Sequence, residues 1–412
     1  MWSLILAACT SDDGQPSDGS TVPVAFSATM ASDNKPTTRA SGDDIDNPST
    51  SAFGQVINYY KLQTQGFGVF ACYTGLHGYG DSNVHPDFMY NEKVTYNTDH
   101  WEYNPVKYWP NGEGEVTDNT GSEKHYVSFM AYAPYSEANN NDPASGEAAD
   151  YCISSFSLQR EIGNPWLTYR LHTDVEKQVD LLYAKPFLDQ SKPATDEKLE
   201  FKFKHALACV GDQITIICSE GLKNQTDARV SGSNFAKVEV SGLSIEYTLT
   251  SKARLVLWCS DEAWTNGEAN WQTILSEDPT CKRTVNIIAS ASAGAGTTVY
   301  TKGQAVDPSS LPSTTVKDKG VFYIPTALVG YKQTAKVNIT YHIATSSDGS
   351  TWTSDTDISG TATIAMNDYP DAYQASKHLY INVTLNQRDI ELTAAIAPWE
   401  DGGTVDVEGN EE

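Results

Sequence analysis

The chain is 412 residues long, enough for two or three domains that each bury a core, and it carries 53 acidic residues against 28 basic ones, a formal charge of -25. That charge repels nucleic acid and anionic lipid, so no nucleic-acid partner is expected. No cofactor or enzymatic activity is expected either, because the sequence holds no Walker loop, GxSxG elbow, HExxH helix or EF-hand.

The N-terminus opens on a short apolar run ending in Leu6-Ala7-Ala8-Cys9, small residues before a cysteine in the pattern read by bacterial lipoprotein signal peptidase. Cys9 is therefore the expected lipidation site. No later apolar stretch reaches the roughly 20 residues that span a bilayer, which leaves the lipid as the expected anchor. Polar residues without periodicity come next, so 1–21 reads as signal and tether.

Val22, Val24, Phe26, Ala28 and Met30 then alternate with Pro23, Ala25, Ser27 and Thr29, the pattern of a strand with one strongly apolar face. Pro23 cannot donate a ladder hydrogen bond, which places this strand at a sheet edge. The polar loop after it, residues 31–51, contains one basic cleavage candidate, Arg39 followed by Ala40. Segment 22–39 is thus set apart from the domains C-terminal to it.

Period-two alternation recurs through the rest of the chain and predicts an all-β fold of antiparallel β-sandwiches. The sets are Phe67, Val69 and Ala71; Val127, Phe129, Ala131 and Ala133; and Phe201, Phe203, His205, Leu207 and Cys209. Further sets are Val337 to Ile343, Leu379 to Leu385 and Ile390 to Ile396, the last two joined by a polar loop of hairpin length, Asn386 to Asp389. A polar break at Asp189 to Asp196 predicts a boundary between an N-terminal domain, 40–190, and a C-terminal one, 197–412.

Several chemistry-bearing residues have plain readings. His205 shares a face with phenylalanines, so a hydrogen-bonded core histidine is expected. Six cysteines remain after Cys9, with no CxxC pair and no histidine at zinc-finger spacing; no metal site is expected, and buried thiols are favoured over bridges. Gly75 to Asp81 reads as a surface loop rather than a catalytic one, and Ser347 to Asp357 as a hairpin turn rather than a calcium loop. Tyr59, Tyr60, Trp101, Tyr103, Tyr108 and Trp109 could stack on sugar rings, which keeps open a monomeric surface glycan-binding lipoprotein. The competing reading puts Trp101, Trp109 and Trp166 in the core.

The order of these features resembles the fimbrillin family of Bacteroidales, the FimA-like and Mfa-like type V pilins. The resemblance rests on the lipobox, the apolar strand, Thr38-Arg39-Ala40 and Trp101-Glu102-Tyr103-Asn104-Pro105-Val106-Lys107-Tyr108-Trp109-Pro110. It also rests on Ala131-Tyr132-Ala133-Pro134, Phe203-Lys204-His205-Ala206-Leu207-Ala208, Tyr323-Ile324-Pro325 and Ile396-Ala397-Pro398-Trp399-Glu400-Asp401-Gly402. The acidic residues after Cys9 look like a surface-export signal of the same bacteria.

The resemblance implies two transthyretin-like β-sandwiches in tandem and a structural or adhesive fimbrial subunit. It would be exported as an outer-membrane lipoprotein and cut between Arg39 and Ala40 by an arginine-specific protease. Loss of the strand bearing Val22, Val24, Phe26, Ala28 and Met30 would open a groove for a strand of another fimbrial subunit, building a fibre at the cell surface. Ile390, Leu392, Ile396, Val405 and Val407 are the candidate donor residues. The acidic tail around Val405 and Val407 makes a poor donor by itself, which leaves stalk, tip and anchor roles open, with a host protein or glycan as ligand.

Overall fold

A computed structural model describes residues 22–31, 57–80, 84–110, 125–137, 152–193 and 197–398, with breaks at 173, 230–231, 275–278, 290, 293, 308, 319, 327–330 and 370–373. In chain order the strands are β1 (Phe26–Met30), β2 (Phe67–Gly75), β3 (Met89–Asn97), β4 (His100–Glu102), β5 (Tyr126–Ala133), β6 (Ile153–Phe156), β7 (Trp166–Arg170), β8 (Leu182–Ala184) and β9 (Phe187–Gln190). After the polar break come β10 (Leu199–His205), β11 (Ala208–Cys218), β12 (Phe235–Thr250), β13 (Lys252–Val256), β14 (Trp271–Thr273), β15 (Thr280–Ile288) and β16 (Thr297–Thr301). The C-terminal strands are β17 (Ser313–Lys317), β18 (Val321–Tyr323), β19 (Thr334–Ser346), β20 (Thr353–Ser354), β21 (Ile358–Ala365), β22 (Lys377–Leu385) and β23 (Ile390–Pro398). Three short α-helices, α1 (Tyr59–Gln65), α2 (Glu220–Arg229) and α3 (Asp261–Asn266), and two single-turn 3-10 helices, Val175–Lys177 and Met366–Asp368, are also among the described elements.

The fold is all-β, as the alternation predicts. Among the described residues, one sheet has the order β1-β10-β8-β5-β2-β3-β4, with β9 also on β5. A second runs β17-β11-β22-β23, a third β15-β12-β19-β20 and a fourth β14-β13-β7-β6. Most ladders are antiparallel, as expected of such sheets, and two are parallel, β1 on β10 and β11 on β22.

The first sheet curls until its end strands, β1 and β4, touch, and so wraps a core of its own. Phe67, Val69, Ala71, Val127, Phe129 and Ala131 face that core. The alternate residues Phe70, Met130 and Tyr132 are equally buried, against a second core that continues into the C-terminal sheets. Strands β2 and β5 are thus covered on both faces, which explains why Phe70 and Tyr132 stand where a solvent-facing strand would carry polar side chains.

The polar break does not separate two independent sets of strands. Strand β9 before it and β10 after it both belong to the first sheet, while β6 and β7 pair into the same sheet as β13 and β14. The chain changes sheets at Ala206-Leu207 instead, because β10 ends at His205 and β11 begins at Ala208. Phe201 and Phe203 therefore face the first core, whereas Leu207 and Cys209 face the second.

His205 is a core histidine: its Nδ1 lies 2.7 Å from Asp180 Oδ2, both side chains buried. The same carboxylate oxygen accepts from the Ile57 backbone N–H at 2.9 Å, fixing the chain where it enters α1. Cys72, Cys152, Cys209, Cys218 and Cys259 are buried free thiols and Cys281 is half-buried, in keeping with packing rather than bridging. The expected hairpins are present: Leu385 pairs with Ile390, and β19 turns into β20 around Asp348, whose Oδ1 accepts from the Ser350 and Thr351 N–H groups.

Trp109 tests how the tryptophans are used. It is buried against Phe129, with ring centroids 5.7 Å apart, and truncating a buried tryptophan removes both contact area and packing. In chemical denaturation Trp109→Ala should lose about 3–5 kcal/mol, and Trp109→Phe distinctly less. An unchanged midpoint for Trp109→Ala would return this side chain to the surface-stacking role.

Candidate functional site

Strand β1 closes the seam of the curled first sheet. Val24, Phe26, Ala28 and Met30 are buried and Val22 is partly so, while Pro23 is exposed, which is the alternation read from the sequence. The ladder on one side is parallel and runs from Phe26 opposite Leu199 to Met30 opposite Phe203. Among the described residues no strand forms a ladder with the other side of Phe26–Met30, so β1 occupies the edge that Pro23 predicts.

The N-terminal end of this segment is held from its second side. Val24 N–H donates to Lys107 O at 2.9 Å and Trp109 N–H to Val22 O at 3.0 Å, around a bridge between Pro23 and Tyr108. Pro23 itself contributes neither bond, which is why a residue without an N–H fits there. The Tyr103 hydroxyl adds a third tie, donating to Val24 O at 2.9 Å. Burial pushes the Tyr103 phenol above its ordinary pKa, so it remains protonated and able to donate.

Phe26 is the centre of the buried face. Its ring centroid lies 5.4 Å from that of Tyr103, 5.7 Å from Phe201, 5.8 Å from Phe129 and 6.5 Å from Phe67. These partners come from β2, β5, β10 and the 103–110 segment, so one side chain touches most of the elements that wrap the core. Chemically the arrangement is an apolar groove with alternating sockets and one backbone edge, filled by the chain's own extended segment.

At the other end of the chain, β23 forms the edge of its sheet through a nine-residue antiparallel ladder with β22. Ile390, Leu392, Ala394 and Ile396 are half-buried against the second core, while Glu391, Thr393 and Ala395 are exposed. Its period matches that of β1, but its apolar face is much less covered.

Cys9, Arg39, Ala40, Val405 and Val407 lie outside the described residues. Of the aromatics considered as stacking platforms, Trp101, Tyr103 and Trp109 are buried, whereas Tyr60 and Tyr108 are about half exposed. Trp166 is half-buried with the Arg254 guanidinium over its ring at 3.7 Å. The loop after β2 is tied down at Tyr79, whose N–H donates to Asp189 and whose hydroxyl donates to Asn164. The sequence reading missed the strap formed by Lys107, Tyr108 and Trp109; the only signal for it was the dense aromatic run from Trp101 to Trp109.

No family model matches the chain. A search of curated proteins finds it 27% identical over 185 residues to the fimbrium subunit Fim1C of Phocaeicola vulgatus, a match that covers 40% of this chain and 44% of that protein. The aligned stretch thus spans less than half the length of that relative. Among solved structures, a fimbrial protein from Bacteroides vulgatus superposes with a TM-score of 0.59 at 18% identity, over 92% of this chain and 99% of that one, a likeness of fold. The chain is thus similar over part of its sequence to a fimbrium subunit, and over most of its length it shares the fold of a fimbrial protein.

Proposed function

We propose that the chain is a fimbrial subunit that reaches the cell surface as a lipoprotein through Cys9 and assembles by strand exchange after proteolysis. Cleavage after Arg39 by an arginine-specific protease removes β1, and an apolar strand from a neighbouring subunit takes its place. The donor comes from the C-terminal segment, either β23 with Ile390, Leu392 and Ile396 or the residues after it that carry Val405 and Val407.

The observation that carries this reading is the combination of full burial and edge position in β1. Vacating the sockets of Val24, Phe26 and Met30 exposes side-chain surface worth roughly 1.5–3 kcal/mol at each, and ladder bonds add about 1 kcal/mol net apiece. Their sum is comparable to the ~5–15 kcal/mol stability of a whole domain, so the cut product is strongly driven to acquire a substitute strand. A second support is the anchoring of the chain at Ile57, which is buried and bonded to Asp180, so the entry to α1 is tied down by a bond that does not involve β1. Donor and acceptor surfaces differ, so the contact is heterologous and extends into a filament.

In the whole cell, protein sheared from the surface should begin at Ala40 and run as a high-mass ladder on unboiled gels, whereas Arg39→Ala should leave an uncut chain and no ladder. A mature N-terminus at lipidated Cys9 on a monomer would sink the assembly reading. For the precursor, Phe26→Asp should lower stability by several kcal/mol, since it puts a charge among four aromatic rings, while fibre already assembled contains no residue 26 and should be unaffected. Equal denaturation midpoints for wild-type and Phe26→Asp precursors would show that β1 does not hold the groove.

A further inference from the structure

Cys209 and His378 are partners in the parallel ladder between β11 and β22. Beyond them the ladder slips: from Val210 to Ile214 strand β11 advances four residues while β22 advances two, from Leu379 to Ile381. The slack begins at Gly211, whose φ of +78° favours glycine. In a regular strand Asp212, three residues after Cys209, would point to the opposite face. Here its side chain reaches His378, with Oδ2 at 2.8 Å from Nδ1.

A ligand atom from each of Cys209, Asp212 and His378 lies within 4.8 Å of the other two, and all three residues are buried. The second carboxylate oxygen, Asp212 Oδ1, is buried with no hydrogen-bond partner among the described residues. Such an orphaned acceptor is costly in a core unless something meets it. The wall is tight at Gly320, where a Cβ would come 2.7 Å from Cys209 Sγ and 2.9 Å from Asp212 Cβ.

We propose that Cys209, Asp212 and His378 form a buried site for a zinc-class divalent transition-metal ion, which clamps β11 to β22. A sulfur, an imidazole nitrogen and a carboxylate oxygen are the donor types that zinc accepts, whereas calcium and magnesium take oxygen. Tetrahedral zinc with bonds of about 2.0–2.3 Å sets its ligand atoms roughly 3.3–3.5 Å apart, within the span of this cluster. Zinc takes cysteine as the thiolate, so the Cys209 thiol gives up its proton on forming the site. Binding therefore releases that proton to solvent as the sulfur–metal bond forms.

The test uses the purified full-length chain, stripped with chelator and titrated with zinc and then cobalt. One equivalent of zinc should bind and raise the thermal midpoint, and cobalt should give a sulfur-to-cobalt charge-transfer band in the near ultraviolet. Cys209→Ser should abolish that band, and Asp212→Asn or His378→Ala should weaken zinc binding at least tenfold, while Cys218→Ser leaves both unchanged. Should these variants not fold, the wild-type titration still decides. Folded wild type that takes up no stoichiometric zinc, or a cobalt adduct without a sulfur band, would reduce the cluster to a buried His–Asp pair beside a thiol and overturn the proposal.

Discussion

The first sheet depends on one edge strand burying one face. Strand β1 has a single ladder, to β10, yet Val24, Phe26, Ala28 and Met30 are as buried as any central-strand residue. Edge strands are normally short, charged or half-solvated, because an unpaired backbone edge invites further pairing. Here buried side chains add to a single backbone ladder in holding the strand, and Phe26 alone contacts rings from four separate segments. A curled sheet without that strand would have its core open along the seam, with the Lys107–Trp109 strap left facing nothing.

The remainder of the molecule is joined to this core by strands that are buried on both faces. Phe67 and Phe129 point into the seam core while Phe70 and Met130, on the same strands, point into the C-terminal one. Strand β10 then leads directly into β11 across Ala206-Leu207, so the two cores are separated by two residues of chain rather than by a linker. A change in the first sheet therefore lies directly beside the second core, and Ile57 on Asp180 ties the entry to α1 to the buried His205 pair.

Polar groups inside these cores are handled by pairing. His205 meets Asp180, His378 meets Asp212, and the fully buried Glu239 accepts from the Gly294 and Gly296 N–H groups with His342 nearby. Glu239 thereby fixes the 294–296 turn on β12, an ordering role that a hydrophobic residue of the same size could not fill. Asp180 and Asp212 each keep one buried oxygen without a partner among the described residues, so pairing is incomplete in both, and only at Asp212 does a thiol share the cluster.

Side-chain alternation is a local property with a period of two, so the strands with one clearly apolar face, the edge position forced by Pro23, the core place of His205 and the hairpins at 386–389 and 347–352 could be read from the sequence. Local pattern carries no information about which strands become neighbours. The parallel ladders of β1 on β10 and β11 on β22, the passage of β10 into the first sheet across the polar break, and the sheet shared by β7 and β13 each join residues far apart in the chain. Double-sided burial misled the reading of β2 and β5 for the same reason: a second core on the far face is invisible until the chain has folded back over it. The meeting of Cys209, Asp212 and His378 is the extreme case, because it needs both a partner strand 166 residues away and a bulge that turns Asp212 around. The sequence by itself determined the apolar face of each strand it revealed, since alternation is local; the tertiary structure alone decided what each face meets and whether the other face is covered too, since that is set by long-range packing.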